Sequence, residues 1–272
     1  MTTGVDEATY VGGPAGGHPI AFVHSAGLSW RMWLSQLRTL DDEYRLFAPD
    51  LPGHGRRANG SFSFTAAARV LDDLLGDEAD EPALVVGQSL GGYVAVKYAA
   101  RRPARVAGLV LSGASADYQG VLGVTTWVAG LLNRIWAVIG PLDRRFREGV
   151  KADLEDGPLP PGIVAAIIDG GISLAGYGQG AMALAGPDFL TKLRSSDGPV
   201  LLLNVAEDRL NPDAAETLEP TLPAAETTVV PDAGHTCSTE RPDKYTAIIR
   251  EFATERVWAG DDDVTDEPGS EA

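Results

Sequence analysis

The sequence predicts an α/β fold, with a mostly parallel β-sheet flanked by helices and a helical segment inserted between two strands. Two observations support this prediction. Short apolar runs alternate with stretches of helical periodicity along most of the chain, and strands separated by helices form βαβ units. The alternation stops between about residues 116 and 187, where the pattern is helical and no strand is indicated.

Six apolar runs are predicted to be strands, and six stretches to be helices. The predicted strands are Ile20–His24, Arg45–Pro49, Ala83–Gln88, Val106–Ser112, Val200–Ala206 and Thr227–Val230. The predicted helices are Trp30–Leu40, Thr65–Leu75, Leu90–Arg101, Phe189–Arg194, Pro212–Leu218 and Pro242–Phe252. Proline begins the fifth and sixth helices, where its missing N–H group and fixed φ are well tolerated.

Three regions are predicted from this pattern. The sheet and its flanking helices comprise residues 1–115 and 188–258, and residues 116–187 form a helical cap over the strand ends. Parallel sheets bind their ligands at the carboxyl ends of the strands, so the cap should cover a binding site. Residues 259–272 are acidic without apolar periodicity, which predicts a disordered tail.

One apolar segment of the insert, Val121–Leu142, is long enough to be compared with a membrane span. Asn133 and Arg134 interrupt it near its middle, which is costly in lipid. Five residues recur at intervals of three and four, as on one face of a helix: Val124, Val128, Leu131, Ile135 and Val138. The segment is therefore predicted to be a buried or cleft-covering helix, and no stable membrane span is expected.

Composition excludes several kinds of partner. The 272 residues include 38 acidic and 22 basic side chains, for a formal charge of −16, so no basic face is available for nucleic acid. The single cysteine, Cys237, excludes an internal disulfide and most cysteine metal sites. No signal peptide is evident at the N-terminus, which predicts a cytoplasmic protein. The expected partner is a small molecule, and the pattern indicates no oligomeric state.

Gly87-Gln88-Ser89-Leu90-Gly91 fits the pattern G-x-S-x-G and lies between a predicted strand and a predicted helix. A sharp turn of this kind lifts the serine hydroxyl above the sheet in a strained conformation, and glycines leave space around it. The pattern alone is weak evidence, but its position after a strand makes it specific. A phosphate loop is disfavoured, since neither G-x-G-x-x-G nor G-K-[ST] is present. Ser89 is therefore the predicted nucleophile.

A serine nucleophile needs a base and an acid that orients the base. His235 follows the last predicted strand, and Asp208 follows the strand before it, in the chain order Ser, Asp, His. Three other carboxylates are alternatives for the acid: Glu207, Asp232 and Asp117. For the oxyanion, the Leu90 N–H is one predicted donor, and the Ala26 N–H is the other.

Together these residues resemble the α/β-hydrolase superfamily, in its esterase-like branch with a helical cap. The resemblance covers about Ile20–Ala114 and Asp188–Phe252 and rests on five ordered motifs. They are the oxyanion loop Val23–Gly27, the D-x-P-G-H-G loop Asp50–Gly55, the nucleophile turn Gln88–Gly92, Asp208 with Pro212, and Gly234-His235 with Pro242. The resemblance makes His54 a feature of the family but not the base.

One departure from the family pattern concerns the oxyanion loop, where Ser25 stands in place of the usual glycine. Its Cβ could narrow the loop, or its hydroxyl could bond to substrate. Serine at position 89 argues against haloalkane dehalogenases and epoxide hydrolases, which the family serves with aspartate.

The predicted function is hydrolysis of a small or medium carboxylic ester through an acyl-enzyme, with no cofactor and no metal. An apolar pocket is predicted from cap residues, namely Trp127, Trp136, Ile163, Ile167, Ile168 and Tyr177. The same triad could serve a carbon–carbon bond hydrolase, a lactonase, a thioesterase or a cofactor-free perhydrolase or haloperoxidase. A ligand receptor with a vestigial site is the non-enzymatic alternative.

Overall fold

A computed structural model describes residues 4–114, 117–194, 198–205 and 225–259. Their strands form one sheet in the order β1-β2-β4-β3-β5-β6-β7-β8. The strands are β1 Gly4–Asp6, β2 Thr9–Gly12, β3 Pro19–Val23, β4 Arg45–Pro49, β5 Ala83–Gln88, β6 Val106–Ser112, β7 Val200–Val205 and β8 Ala225–Val230. Strands β3 to β8 are parallel to one another, which confirms the predicted fold class.

The first two strands were not among the sequence predictions. Both are short, and they pair antiparallel at the edge of the sheet, β2 with β4 and β1 with β2. Their residues are polar or glycine-flanked and form no continuous apolar run, so the strand pattern is absent there. The other six predicted strands are all present, with ends within two residues of the prediction where the structure describes them.

The described helices are α1 Leu34–Leu40, α2 Phe64–Glu78, α3 Leu90–Arg101, α4 Gly120–Ala137, α5 Gly140–Glu155, α6 Pro161–Gly170, α7 Leu174–Leu184, α8 Leu190–Arg194, α9 Cys237–Glu240 and α10 Pro242–Phe252. Short 3₁₀ turns are Trp30–Trp33, Gly55–Arg57 and Pro103–Arg105, and Ala253–Val257 is a π-turn. The predicted helix at residues 30–40 thus begins as a 3₁₀ turn. The predicted helix at residues 212–218 and residues 260–272 of the predicted tail lie outside the described residues.

Apolar side chains cover both faces of the sheet, as expected for parallel strands between helix layers. Along β5, Val85 joins a cluster with α2 and α3, whereas its neighbour Val86 joins a cluster on the opposite face. The second cluster contains Trp33 and Tyr245, both buried. Because the central strands are held on both sides, the residues at their carboxyl ends are fixed in position.

The insert between β6 and β7 contains α4, α5, α6 and α7. Its two ends meet at an isolated β-bridge between Tyr118 and Ala185, and the Gly186 N–H donates to the Tyr118 carbonyl at 2.9 Å. Within the described helices, none alone is long and apolar enough to cross a membrane, although two bent helix pairs reach that length and composition when joined.

The segment predicted to be a buried or cleft-covering helix is α4, and its five periodic apolar residues are not its buried side. Val124, Val128, Ile135 and Val138 are exposed, and Leu131 is only partly buried. The buried positions of α4 are glycines: a Cβ at Gly130 would lie 2.7 Å from the Gly178 carbonyl oxygen of α7. The helices approach closely through glycine, and this contact directs the bulky side chains away from the protein.

Candidate active site

Ser89 occupies the turn between β5 and α3 with φ 53° and ψ −121°. A positive φ at a residue with a Cβ costs on the order of 1–3 kcal/mol and persists only where the surroundings fix it. Here the Ser89 N–H donates to the Ser112 carbonyl at 2.7 Å, and the Ser89 carbonyl accepts from the Gly92 N–H at 2.9 Å. The next strand and the first turn of α3 therefore hold the strained residue.

The two flanking glycines of the turn are required by space. A Cβ at Gly87 would overlap the Gly91 carbonyl oxygen, and a Cβ at Gly91 would overlap the carbonyl oxygen of Val23 at the end of β3. The turn thus fits against the neighbouring strand only without side chains at these positions. These overlaps are the steric reason that the G-x-S-x-G pattern has glycine at positions 87 and 91.

A cavity of about 790 Å³ lies between the insert and the carboxyl ends of the strands. Six of the sequence-predicted site residues line it: Ser25, Ala26, Ser89, Leu90, Tyr177 and His235. This volume is typical of sites for small organic ligands. The structure therefore places the predicted nucleophile, base and oxyanion donors in the lining of one cavity.

His235 is partly buried in the loop between β8 and α9. Its ring lies against Gly113, where a Cβ would be 2.8 Å from the ring Cε1 and 3.0 Å from Nδ1. The side-chain amide of Gln88 donates to the His235 carbonyl at 3.0 Å. The residue that precedes the predicted nucleophile therefore anchors the loop of the predicted base, and sequence reasoning missed this contact.

Glu240 supports the same loop and was also missed. Its carboxylate accepts from the Gly234 N–H at 2.5 Å and from the Thr236 hydroxyl at 2.6 Å. The available signal was the spacing of Thr236 and Glu240, four residues apart and on one face of a helical turn. Both residues line the cavity.

The predicted acid, Asp208, and its alternative Glu207 lie outside the described residues. The other two alternatives have different partners. Asp232 is exposed and lies 3.8 Å from the Lys244 ammonium. Asp117 accepts from the Phe189 N–H at 2.7 Å and from the Leu190 N–H at 3.3 Å, at the start of α8. Neither lines the cavity.

Two backbone N–H groups remain available for an oxyanion. Leu90 is the first residue of α3, so its N–H has no partner within the helix. Among the described residues, no backbone carbonyl accepts from the Ala26 N–H. The Ser25 N–H instead donates to the Met32 sulfur at 3.3 Å, and the Ser25 hydroxyl donates to the Gln88 carbonyl at 3.3 Å. Ser25 thus links the oxyanion loop to the nucleophile turn.

Two buried histidines lie in and beside the oxyanion loop, with ring centroids 5.2 Å apart. The Leu51 N–H donates to His24 Nε2 at 2.9 Å, so the proton on Nδ1 is the one that bonds to the Ser25 carbonyl at 2.8 Å. His54 Nδ1 bonds to the Pro52 carbonyl at 3.0 Å. Burial lowers the pKa of His24 to about 4 and that of His54 to about 3. Both are neutral, and neither lines the cavity.

A model of the alpha/beta hydrolase family matches residues 20–248. The chain belongs to the alpha/beta hydrolase family. The chain is 30% identical over 247 residues to a pimeloyl-[acyl-carrier protein] methyl ester esterase of Aromatoleum aromaticum, covering 85% of this chain and 96% of the relative. The esterase of the same name from Edwardsiella ictaluri is 26% identical, covering 89% and 95%. A thermophilic esterase from Thermogutta terrifontis superposes with a TM-score of 0.74 at 25% identity, covering 93% and 96%.

The cavity of this alpha/beta hydrolase differs from the predicted pocket. Of the predicted lining residues, Tyr177 lines it, whereas Trp127 and Trp136 are exposed and Ile167 is buried in an apolar cluster with Leu154 and Leu159. Ile163 and Ile168 belong to or pack against that cluster. Helical periodicity identifies an apolar face but not the element against which it packs, so these assignments were wrong.

The insert supplies lining residues that were not predicted. They include Leu122, Thr126, Ala129, Asn133, Phe146, Val150, Asp153 and Asp156. Three lining side chains are carboxylates, Asp153, Asp156 and Glu240, and no lysine or arginine is among the described lining residues. Within the described part of the chain, no group of three or more His, Cys, Asp or Glu side chains is arranged to hold a metal ion.

Proposed function

We propose that this alpha/beta hydrolase is a serine esterase that cleaves a small or medium, uncharged carboxylic ester through an acyl-enzyme. The observation that carries the proposal is the single cavity that Ser89, His235, Ala26 and Leu90 all line. Ser89 is held at positive φ at the end of a central strand, as a nucleophile on a tight turn requires.

Acylation begins when the Ser89 oxygen attacks the ester carbonyl carbon and its proton passes to His235. The carbonyl oxygen becomes an oxyanion, which accepts hydrogen bonds from the Ala26 and Leu90 N–H groups. Preorganised donors of this kind typically contribute several kcal/mol to the transition state. Collapse of the tetrahedral intermediate breaks the bond to the alcohol, which takes the proton from His235 and leaves the acyl group on Ser89.

Deacylation repeats these steps with water. Water gives a proton to His235 and attacks the acyl carbon, and collapse releases the carboxylic acid while Ser89 recovers its proton. Asp208 is the proposed partner that orients the His235 ring and stabilises its protonated form. The engagement of Asp232 with Lys244 and of Asp117 with α8 supports this choice.

The insert, residues 116–187, is the proposed cap that selects the substrate. Its helix α7 packs on the oxyanion loop: the Ser173 N–H donates to the Gly27 carbonyl at 2.8 Å, and a Cβ at Gly180 would lie 2.8 Å from the Leu90 side chain. The esterase relatives support an ester as substrate. Carboxylates line the cavity, and no lysine or arginine is among the described lining residues. This charge favours an uncharged ester over one that carries a carboxylate.

Ser89→Ala tests the mechanism. It should abolish turnover of chromogenic esters and labelling by a fluorophosphonate, while the circular dichroism spectrum and melting temperature stay near wild type. Ser25→Ala is the matched control, because its hydroxyl bonds to the Gln88 backbone, and it should still be labelled. Retained ester turnover in Ser89→Ala would refute the proposal. Faster turnover of lactones or thioesters than of simple esters would replace the ester with that substrate.

A further inference from the structure

The outward face of α4 is apolar and exposed, which is unusual for a helix of a globular protein. This face, called the α4 face below, consists of Val121, Val124, Thr125, Val128, Leu132 and Ile135. Val121 is 82% exposed and Val124 is 64% exposed. The polar group of Thr125 is satisfied within the helix, because its hydroxyl donates to the Val121 and Leu122 carbonyls at 3.1 and 3.0 Å.

The other sides of α4 are already occupied. At 100° per residue, Gly123 and Gly130 lie opposite the α4 face and are buried, and Gly130 contacts α7. Leu122, Thr126, Ala129 and Asn133 form a third side, which lines the cavity. The glycine side of α4 therefore packs against α7 and another side lines the cavity, whereas the α4 face is exposed.

In helices surrounded by lipid, large apolar side chains point outward and glycine lies at the helix–helix contact. The same arrangement is found in α4. Trp127 and Trp136 project from opposite edges of the α4 face and are 43% and 41% exposed. Tryptophan is enriched where protein meets the membrane–water interface. The apolar surface continues past the end of α4 through Val138, Ile139 and Leu142, all exposed.

Positive charge borders this surface. Residues 120–147 contain four arginines and one aspartate, which gives this segment a formal charge of +3. Since the whole chain has a formal charge of −16, the other residues together carry −19. Arg144 and Arg145 are exposed, and Arg144 lies 3.8 Å from the Glu148 carboxylate. Arg145 follows the exposed Leu142 by three residues on α5, and so shares its side of the helix. An anionic surface would attract this end of the molecule and repel the remainder, which fixes an orientation.

We propose that the α4 face, with residues 138–145, docks on the surface of an anionic lipid bilayer, with α4 lying in the interface without crossing it. Amphipathic helices bind in this way, with the apolar side among the acyl chains and cations at the headgroups. The cavity-lining side of α4 then lies next to the lipid, so an ester dissolved in the membrane has a short path to the cavity. Docking itself does not depend on the proposed esterase activity.

Flotation with vesicles of phosphatidylcholine and phosphatidylglycerol tests the proposal. Wild type should float with these vesicles, and Ser89→Ala should float equally. The double variant Val128→Asp with Ile135→Asp should lower the bound fraction roughly tenfold or more, since a charge among acyl chains is costly. Arg144→Gln with Arg145→Gln should weaken binding to these vesicles more than to pure phosphatidylcholine.

Val229→Asp is the matched control, because Val229 of β8 is 52% exposed but lies outside α4; it should bind as wild type does. Circular dichroism and the melting temperature establish that each variant is folded. Failure of wild type to float, or equal flotation of the double variant, would overturn the proposal. So would sedimentation velocity showing a lipid-free dimer that the double variant dissociates, because the α4 face would then bind a second copy of the chain.

Discussion

At the scale of single residues, the groups that meet at the cavity are positioned by neighbours that no motif marks. Gln88 ties the His235 loop to the nucleophile turn, and Glu240 satisfies N–H groups within that loop. Gly113, at φ 59°, leaves room for the imidazole to lie against the backbone. The Gln88 and Gly113 contacts join segments that are distant in sequence, so the placement of His235 beside the Ser89 turn depends on the completed fold.

Burial of His54 makes the stability of the protein depend on pH. Its pKa is lowered to about 3 in the folded chain by burial, from 6.5 in an unfolded one. Between these values the unfolded state binds more protons, so stability falls as the pH decreases from about 6.5 toward 3. Asparagine can keep the donor to the Pro52 carbonyl without titrating.

His54→Asn should therefore lose less stability than wild type on going from pH 7 to pH 5, by about 2 kcal/mol. Urea unfolding at the two pH values measures the difference. An equal loss in both proteins would show that His54 is not buried as a neutral group.

The candidate site was predictable where a local pattern specifies the chemistry. Ser89 was identified because its strand and the glycines of its turn are contiguous, and His235 because it follows the last strand. The pocket was not predictable in the same way. Trp127 and Ile167 have the expected apolar character, but the sequence does not show which side of a helix faces the cavity.

At the scale of elements, helix α7 packs closely on two of its sides through its own glycines. Gly176 and Gly180, four residues apart, face the core: a Cβ at Gly176 would lie 2.9 Å from the His54 ring, and one at Gly180 would lie 2.8 Å from Leu90. Gly178 faces α4, where it meets Gly130. Glycine lowers the intrinsic stability of a helix, so close packing on both sides must offset that cost.

Gly130→Leu should disrupt the contact between α4 and α7. A side chain there meets the Gly178 backbone, and such overpacking typically costs about 1–3 kcal/mol. Gly149→Leu is the matched control, because nothing lies within 4 Å of a Cβ at that helical position. Thermal unfolding should show a lower melting temperature for Gly130→Leu and an equal or higher one for Gly149→Leu. The reverse order would contradict the described packing.

The elements of the sheet were predicted more accurately than those of the insert. Strand β5 and helix α3 match their predictions, because one is a continuous apolar run and the other ends before Pro103. For α4 the pattern indicated a buried or cleft-covering helix, and the helix does line the cavity, but its periodic apolar residues face outward. Apolar periodicity predicts burial only when large side chains make the contact, and in α4 glycine makes it.

At the scale of the whole molecule, charge should influence which esters are accepted. The chain carries −16, and three carboxylates line the cavity without a described lysine or arginine. Repulsion of a like charge and loss of its hydration both disfavour an anionic substrate. An uncharged methyl ester should therefore be cleaved at least about tenfold more efficiently than a matched half-ester with a free carboxylate.

The ratio of kcat/KM for the two esters, measured at low and high salt, checks this expectation. Salt should narrow the ratio by screening the repulsion. Asp153→Asn with Asp156→Asn should narrow it too, since both side chains line the cavity. A preference for the half-ester would show that a cation from outside the described residues dominates the site.

The bridge between Tyr118 and Ala185 affects how readily the insert could be replaced by another segment. The bridge holds the two ends of the insert next to each other. The insert connects β6 and β7, which are adjacent in the sheet. Insertions are best tolerated where the ends of the added chain lie close together. A segment of another length or composition could therefore be grafted at this junction, and Ser89 would keep its place at the end of β5 while the lining of the cavity changed.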